Sequence, residues 1–153
     1  MTHEILLAGF GGQGILFSGK FLAYDGLLED KEVSWLPSYG PEMRGGTCNC
    51  SIILSDTKIG SPIVSNPNVL VAMNLPSLEK YVNSVVAGGQ IYVDSSLIDA
   101  KVERDDVEVF YIPATQMAKV IAAIIATLSS TLSSVYSTNL SPLDIASIEV
   151  ATP

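Results

Sequence analysis

Apolar positions fall along this chain in two spacings. Residues 4–8 form a short continuous apolar run, Ile5 to Ala8, the pattern of a strand covered on both faces. A glycine-rich turn follows at 9–14. Residues 15–28 then place Ile15, Gly19, Leu22, Ala23 and Gly26 near one side of a helix, where small residues permit close approach to a sheet. Residues 32–36 read as a second strand, and 47–55 alternate before turning apolar, as a third strand does. Residues 56–58 are turn-like and 59–65 predict a partner strand, so a hairpin is expected that would make the sheet mixed. Residues 69–72 predict another buried strand, followed by a helix from about 76 to 86 that Gly88 and Gly89 stop. Strands follow at 90–94 and 107–112, and a helix starts at Thr115. Strands alternating with helices predict an α/β protein: a three-layer α/β/α domain around a mixed, mostly parallel sheet with a Rossmann-like start.

Composition sharpens this picture. The chain has 153 residues, 48% hydrophobic and 16% charged, with eight basic residues against sixteen acidic ones. So much apolar content excludes a disordered chain. The acidic balance makes no phosphate-binding field, so nucleic acid is not an expected partner. Soluble domains carry about 25% charged residues, and a chain this short of charge is expected to hide surface against partners. The shortage is uneven: Lys119, Asp144 and Glu149 are the three charges after residue 117. The run at 120–128 reads as a buried helix, too short for the roughly 20 residues of a membrane span. Residues 129–153 are Ser/Thr-rich with weak periodicity, so the expected organisation is a domain over 1–128 and an atypical tail, truncated or disordered, over 129–153. The first residues carry no Lys or Arg before the apolar run and no small-residue cleavage site, so the expectation is a cytoplasmic protein without a membrane partner.

Three motifs carry candidate chemistry. Gly9-Phe10-Gly11-Gly12-Gln13-Gly14 matches G-x-G-x-x-G between a strand and a helix, where backbone N–H groups at a helix N-terminus favour an anion. The dinucleotide fingerprint also needs an acid at the end of the second strand, and that strand ends in Trp35-Leu36-Pro37-Ser38. Half of the fingerprint is therefore missing, and a structural or interface turn is the competing reading. The stretch from Gly14 to Phe21 falls short of a P-loop, because Phe21 stands where a Ser or Thr binds magnesium; Lys20 then reads as a solvated helix residue. Cys48 and Cys50 point to one face of a strand, and with one distant histidine they are too few for a cluster or a structural zinc, so they read as core residues and no metal site is expected. A single terminal His3 also leaves little room for Ser-His or Cys-His catalysis. The segment 37–46 holds two prolines and three glycines, and it presents Tyr39, Glu42 and Arg44 at the edge where α/β ligand clefts form, or else is a turn with a solvated Glu42–Arg44 ion pair.

Several of these stretches, taken together, resemble a known family. The glycine turn, the run Trp35-Leu36-Pro37-Ser38-Tyr39-Gly40-Pro41-Glu42-Met43-Arg44-Gly45-Gly46-Thr47, then Ile59-Gly60-Ser61-Pro62-Ile63-Val64, and Ala72-Met73-Asn74-Leu75-Pro76-Ser77-Leu78 are similar, in order and spacing, to the gamma subunit of 2-oxoacid:ferredoxin oxidoreductases. The resemblance spans residues 3 to about 117 and is nearest to the 2-oxoglutarate branch. It implies a subunit inactive alone, within a complex that decarboxylates a 2-oxoacid oxidatively, forms an acyl-CoA and reduces ferredoxin. It implies thiamine diphosphate with Mg2+ between alpha and beta subunits, and iron–sulfur clusters in beta or in a ferredoxin-like delta subunit. This chain would bind none of these itself and would contribute no catalytic residue. The candidate site is then a cleft on the coenzyme A side, or a subunit interface, formed by Gly11, Gly12, Gln13, Gly14, Ser38, Tyr39, Arg44, Gly45 and Gly46. Residues 118–153 do not follow the family pattern. The alternatives are a free-standing dinucleotide-binding oxidoreductase or a ligand-free interaction module.

Overall fold

The computed structural model describes residues 1–38 and 47–139. The chain divides into two units, Met1–Ala114 and Thr115–Pro153. The first is built on six strands: β1 (Thr2–Phe10), β2 (Glu32–Ser38), β3 (Thr47–Ser55), β4 (Val69–Ala72), β5 (Gln90–Asp94) and β6 (Glu108–Ile112). Helix α1 (Ile15–Leu28) joins β1 to β2, and α2 (Leu75–Tyr81) follows β4 and runs into a 3-10 turn, Val82–Ser84. The spatial order is β2-β3-β1-β4-β5-β6. β3 is antiparallel to both its neighbours, whereas β1, β4, β5 and β6 pair in parallel. The sheet is thus mixed and mostly parallel.

Its mixed character has a different origin from the expected hairpin. Residues 59–65 form no strand. A strand has two edges, and both edges of β3 are taken: β1 pairs with it from Thr2↔Ser55 to Phe10↔Thr47, and β2 from Glu32↔Ser55 to Ser38↔Asn49. Pro62 also lacks the N–H that a ladder would need.

Successive strand residues point to opposite faces, which divides the core in two. Leu6 joins Leu70, Ala72, Ile91 and Val93 beneath Leu78 of α2. Leu7 joins Cys48, Cys50 and Ile52 beneath Ile15 of α1. The two helices therefore cover opposite faces, and three layers result. α1 lies close to its face through Ile15, Gly19, Ala23 and Gly26, all buried. α2 ends at Tyr81, before the expected 86: Val85 is extended and the Val86 N–H bonds the carbonyl of Pro67 (3.1 Å) instead of that of Val82, while Arg104 Nη1 donates to the carbonyls of Val82 (2.7 Å) and Val85 (2.9 Å). Gly88, at φ 77°, instead turns the chain toward β5.

One end of the sheet is laced together. The Met1 amine and the Lys31 ammonium both bind the Asp56 carboxylate, joining the start of β1 and the approach to β2 to the end of β3. Asn68 accepts from the Glu4 N–H (2.9 Å) and donates to Thr2 O (3.1 Å), holding the entry to β4 against β1. The opposite end, where β1, β2 and β4 finish, carries the candidate site.

The second unit is described to residue 139 as helix α3 (Ala114–Asn139). Residues 120–128 are helical, as their pattern predicts, but Val120, Ile121, Ile124 and Ile125 are more than half exposed rather than buried. With Met117 they form one stripe along the helix.

Candidate functional site

The glycine turn is set by backbone geometry. Gly12 (φ 94°) and Gly14 (φ 79°) occupy left-handed conformations that other L-residues rarely adopt, and a β-carbon on either would meet nothing within 4 Å. The turn is therefore open on its outer side. Gly14 is the N-cap of α1 and supplies no side-chain cap, so the first N–H groups of the helix are left to solvent or to a ligand. Such a terminus favours an anion.

Gln13 fixes the turn in place. Its Oε1 accepts from the Phe10 N–H (2.6 Å), and its Nε2 donates to the carbonyl of Met73 (2.9 Å), just beyond β4. One side chain thus clamps the end of β1, the turn and the β4–α2 connection together. Asn74 then caps α2, its Oδ1 accepting from the Ser77 N–H (2.8 Å). Among the described residues Asn74 Nδ2 and Ser77 Oγ are buried without a protein partner, atoms that an ordered water ordinarily satisfies.

The second part of the site comes from β2 and β3. Ser38 pairs with Asn49, and Asn49 with Ala8, so the exposed end of β2 stands two strand spacings, about 10 Å, from β1. Asn49 Nδ2 donates to Tyr81 Oη (3.1 Å), tying β3 to the end of α2. Tyr39, Arg44, Gly45 and Gly46 lie outside the described residues, as does Glu42. The segment holding them leaves from Ser38 and re-enters at Thr47, which pairs with Phe10, so both of its ends are at the glycine-turn edge. The structure thus brings Gly11, Gly12, Gln13, Gly14 and Ser38 to one edge. Sequence reasoning missed Asn49, Asn74 and Tyr81. Asn74 carried a readable signal, an Asn one residue before a Leu-Pro helix start; Asn49 and Tyr81 meet through the tertiary fold and carried none.

The same topology weighs against the dinucleotide reading. That fingerprint needs the second strand beside the first, so that its terminal acid meets the ribose. Here antiparallel β3 stands between β1 and β2, and β2 ends in Pro37 and Ser38. Glu32 pairs with Ser55 at the opposite end, about 20 Å along the strand. The P-loop reading fails as expected: Ile15 to Lys20 are already helical, and Lys20 is exposed, its Nζ 5.6 Å from the Tyr24 ring centroid.

Cys48 and Cys50 are buried in the α1-side core. Burial pushes the Cys50 thiol up to about 11, offset only in part by a hydrogen bond with Trp35. Among the described residues no group of three or more His, Cys, Asp or Glu converges, and two sealed neutral thiols are a poor donor set for an iron–sulfur cluster or a zinc ion. What this edge offers is open backbone donors on a turn that Gln13 holds in place.

A three-layer α/β unit with an open glycine turn at the strand ends is a Rossmann-like module. Its sequence matches the model of the pyruvate ferredoxin/flavodoxin oxidoreductase family over residues 4–149, and the chain belongs to that family. The match continues through most of the Ser/Thr-rich stretch. The ketoisovalerate oxidoreductase subunit VorA of Methanothermobacter marburgensis is 40% identical over 116 residues, which is 76% of this chain and 24% of that one. The 2-oxoglutarate synthase subunit KorC of Methanocaldococcus jannaschii is 39% identical over 120 residues, 77% of this chain and 64% of that one. Among solved structures, the gamma subunit of the keto/oxoacid ferredoxin oxidoreductase from Geobacter sulfurreducens aligns with a TM-score of 0.59 and 29% identity, over 72% of this chain and 60% of that one. The 2-oxoglutarate:ferredoxin oxidoreductase from Magnetococcus marinus, with 2-oxoglutarate, coenzyme A and succinyl-CoA bound, aligns with a TM-score of 0.70 and 25% identity, over 79% of this chain and 21% of that one. This chain spans about a quarter of the VorA subunit and just under two thirds of that KorC subunit.

Proposed function

We propose that this chain is the gamma subunit of a cytoplasmic 2-oxoacid:ferredoxin oxidoreductase, with 2-oxoglutarate as the 2-oxoacid, and that it is inactive alone. The complex oxidises the 2-oxoacid with loss of CO2, transfers the acyl group to coenzyme A and passes two electrons to ferredoxin. The family match over residues 4–149 carries this reading. The glycine turn adds to it, because coenzyme A brings phosphates to a site where a helix N-terminus stands open.

Within the complex, Gly11, Gly12, Gln13 and Gly14 hold the phosphate side of coenzyme A. Ser38, Tyr39, Arg44, Gly45 and Gly46 complete that cleft or its border with the next subunit. The donor set of this chain does not fit an iron–sulfur cluster, so the clusters, like thiamine diphosphate and Mg2+, belong to partners of the alpha, beta and delta type. The unit over 1–128 performs this role, and the family match runs on from it to residue 149. In the assembled complex, Arg44→Ala raises the apparent KM for coenzyme A several-fold while the KM for 2-oxoglutarate stays constant. An unchanged KM for coenzyme A together with normal assembly overturns the assignment of the cleft.

A further inference from the structure

We propose that two copies of this chain pair through the free edge of β2, antiparallel and two-fold symmetric about Ser34, so that their sheets become one. β2 ends the sheet, with β3 on one side only. The ladder decides which of its groups face outward. The Asp56 N–H bonds Met1 O (3.3 Å), which makes Met1 and Asp56 a hydrogen-bonded pair continuing the β1–β3 register. Every second pair is then of that kind, Leu7↔Cys50 included, so Cys50 turns its N–H and C=O to β1 and neither to β2. Pro37, opposite Cys50, therefore faces the free edge, where a missing N–H is tolerated. Val33 and Trp35 share its parity and face the same way. Among the described residues neither has a backbone partner on that side. The edge is symmetric about Ser34. Donors stand at 33 and 35, and the next outward positions on either side offer none: Pro37 has no N–H, and the Lys31 N–H is bound to Gly26 O (3.0 Å). Two-fold pairing about Ser34 sets Val33 against Trp35 of the second copy, and Pro37 against Lys31. Every N–H and C=O of Val33 and Trp35 then finds a partner, and the positions without a donor face each other. Glu32 falls opposite Leu36, so no like charges meet across the junction.

α1 fits the same axis. A β-carbon on Gly19 would meet Cys50 and Trp35, and one on Gly26 would meet Leu54 and Val33, so the helix runs above the gap between β2 and β3. That gap is half a strand spacing inside β2 and the axis half a spacing outside it, so the two α1 helices pass about 10 Å apart. Packed helices stand about 8–10 Å apart. Gly19 lies over the Pro37↔Cys50 pair and Gly26 over Val33↔Leu54, which brings Tyr24 nearest the axis. Lys20, Ala23, Tyr24 and Leu27 line a groove of about 350 Å³ beside Val33 and Trp35, and the second copy's Tyr24 and Leu27 fill it. Tyr24, Leu27 and Trp35 are 57%, 55% and 39% exposed. With Leu28 and Leu36 they leave roughly 550 Å² per copy in water, close to the ~600 Å² per partner of the smaller specific interfaces. The net charge of −8 on each copy is spread over the whole surface and is screened within about 8 Å at physiological salt.

The test is sedimentation of the full chain at physiological salt, with charge variants at Ser34, which stands opposite its own copy across the axis. The wild-type chain sediments as a dimer. Ser34→Lys and Ser34→Glu each weaken dimerisation about tenfold or more with unchanged circular dichroism, because like charges then face each other. An equimolar mixture of the two variants restores the dimer. Ser34→Cys gives a covalent dimer on mild oxidation, whereas Ser38→Cys, which falls opposite residue 30, does not. A monomeric wild-type chain overturns the proposal. So does a dimer that both charge variants leave intact or that their mixture fails to restore, or a Ser34→Cys chain that does not cross-link.

Discussion

Gly19 lies directly over Cys50: a β-carbon built on Gly19 would stand 2.6 Å from the Cys50 sulfur. Cys50 is fully buried on β3 and cannot withdraw. Helix propensity favours Gly19→Ala by about 1 kcal/mol, whereas overpacking a closed core costs about 1–3 kcal/mol. The clash wins. Urea unfolding of Gly19→Ala is expected to show a net loss of stability, larger for Gly19→Val. Cys50→Ala recovers part of that loss in the double variant, because it removes the atom the new methyl meets.

The same enclosure makes Cys50 inert. Its thiol is held near 11 by burial, against about 9 for a free cysteine, so it stays protonated at neutral pH. A thiol reagent is expected to modify native protein slowly and unfolded protein at once. Because the folded value lies above the unfolded one, the neutral thiol's contribution to stability is complete below about pH 9 and is lost as pH rises toward 11. A titration of unfolding free energy against pH, compared with Cys50→Ala, isolates that loss.

Asp56 behaves in the opposite sense. Hydrogen bonds from Lys31 and from the Met1 amine hold its carboxyl at about 2. A depressed folded value means that its contribution is present above the unfolded value, near 3.8, and is lost as pH falls toward 2. Asp56→Asn therefore flattens the acid limb of the stability curve, and it flattens the alkaline limb as well, because Asp56 holds the Lys31 ammonium above its ordinary value and that contribution is lost as pH rises.

Gln13 joins the glycine turn to the end of β4 through two hydrogen bonds. Gln13→Ala is expected to cost about 1 kcal/mol, since the Phe10 N–H and the Met73 carbonyl both exchange their partner for water. Hydrogen exchange at residues 9–14 accelerates, while exchange in β5 stays slow. Protection of the turn that is unchanged in the variant would contradict the clamp.

How much of this was legible in the sequence follows physical lines. Local patterns placed α1 and β4 at their observed bounds, because the small-residue spacing from Gly19 to Gly26 and the apolar run from Val69 to Ala72 are written in consecutive residues. Partner choice was not. Nothing near residues 47–55 tells that β3 enters between β1 and β2, since strand pairing is settled by long-range register. For the same reason the Asn49–Tyr81 bond, which joins residues 32 positions apart, was invisible. The open glycine turn was readable because its geometry lies in the backbone of adjacent glycines.

The most direct test of the central claim is ferredoxin reduction by 2-oxoglutarate and coenzyme A, with partner subunits assembled in the presence or absence of this chain. The account predicts that the complete complex reduces ferredoxin and forms succinyl-CoA, and that neither this chain alone nor the partners without it do so. Full activity of partners lacking this chain would contradict it, as would tight binding of NAD to the isolated chain.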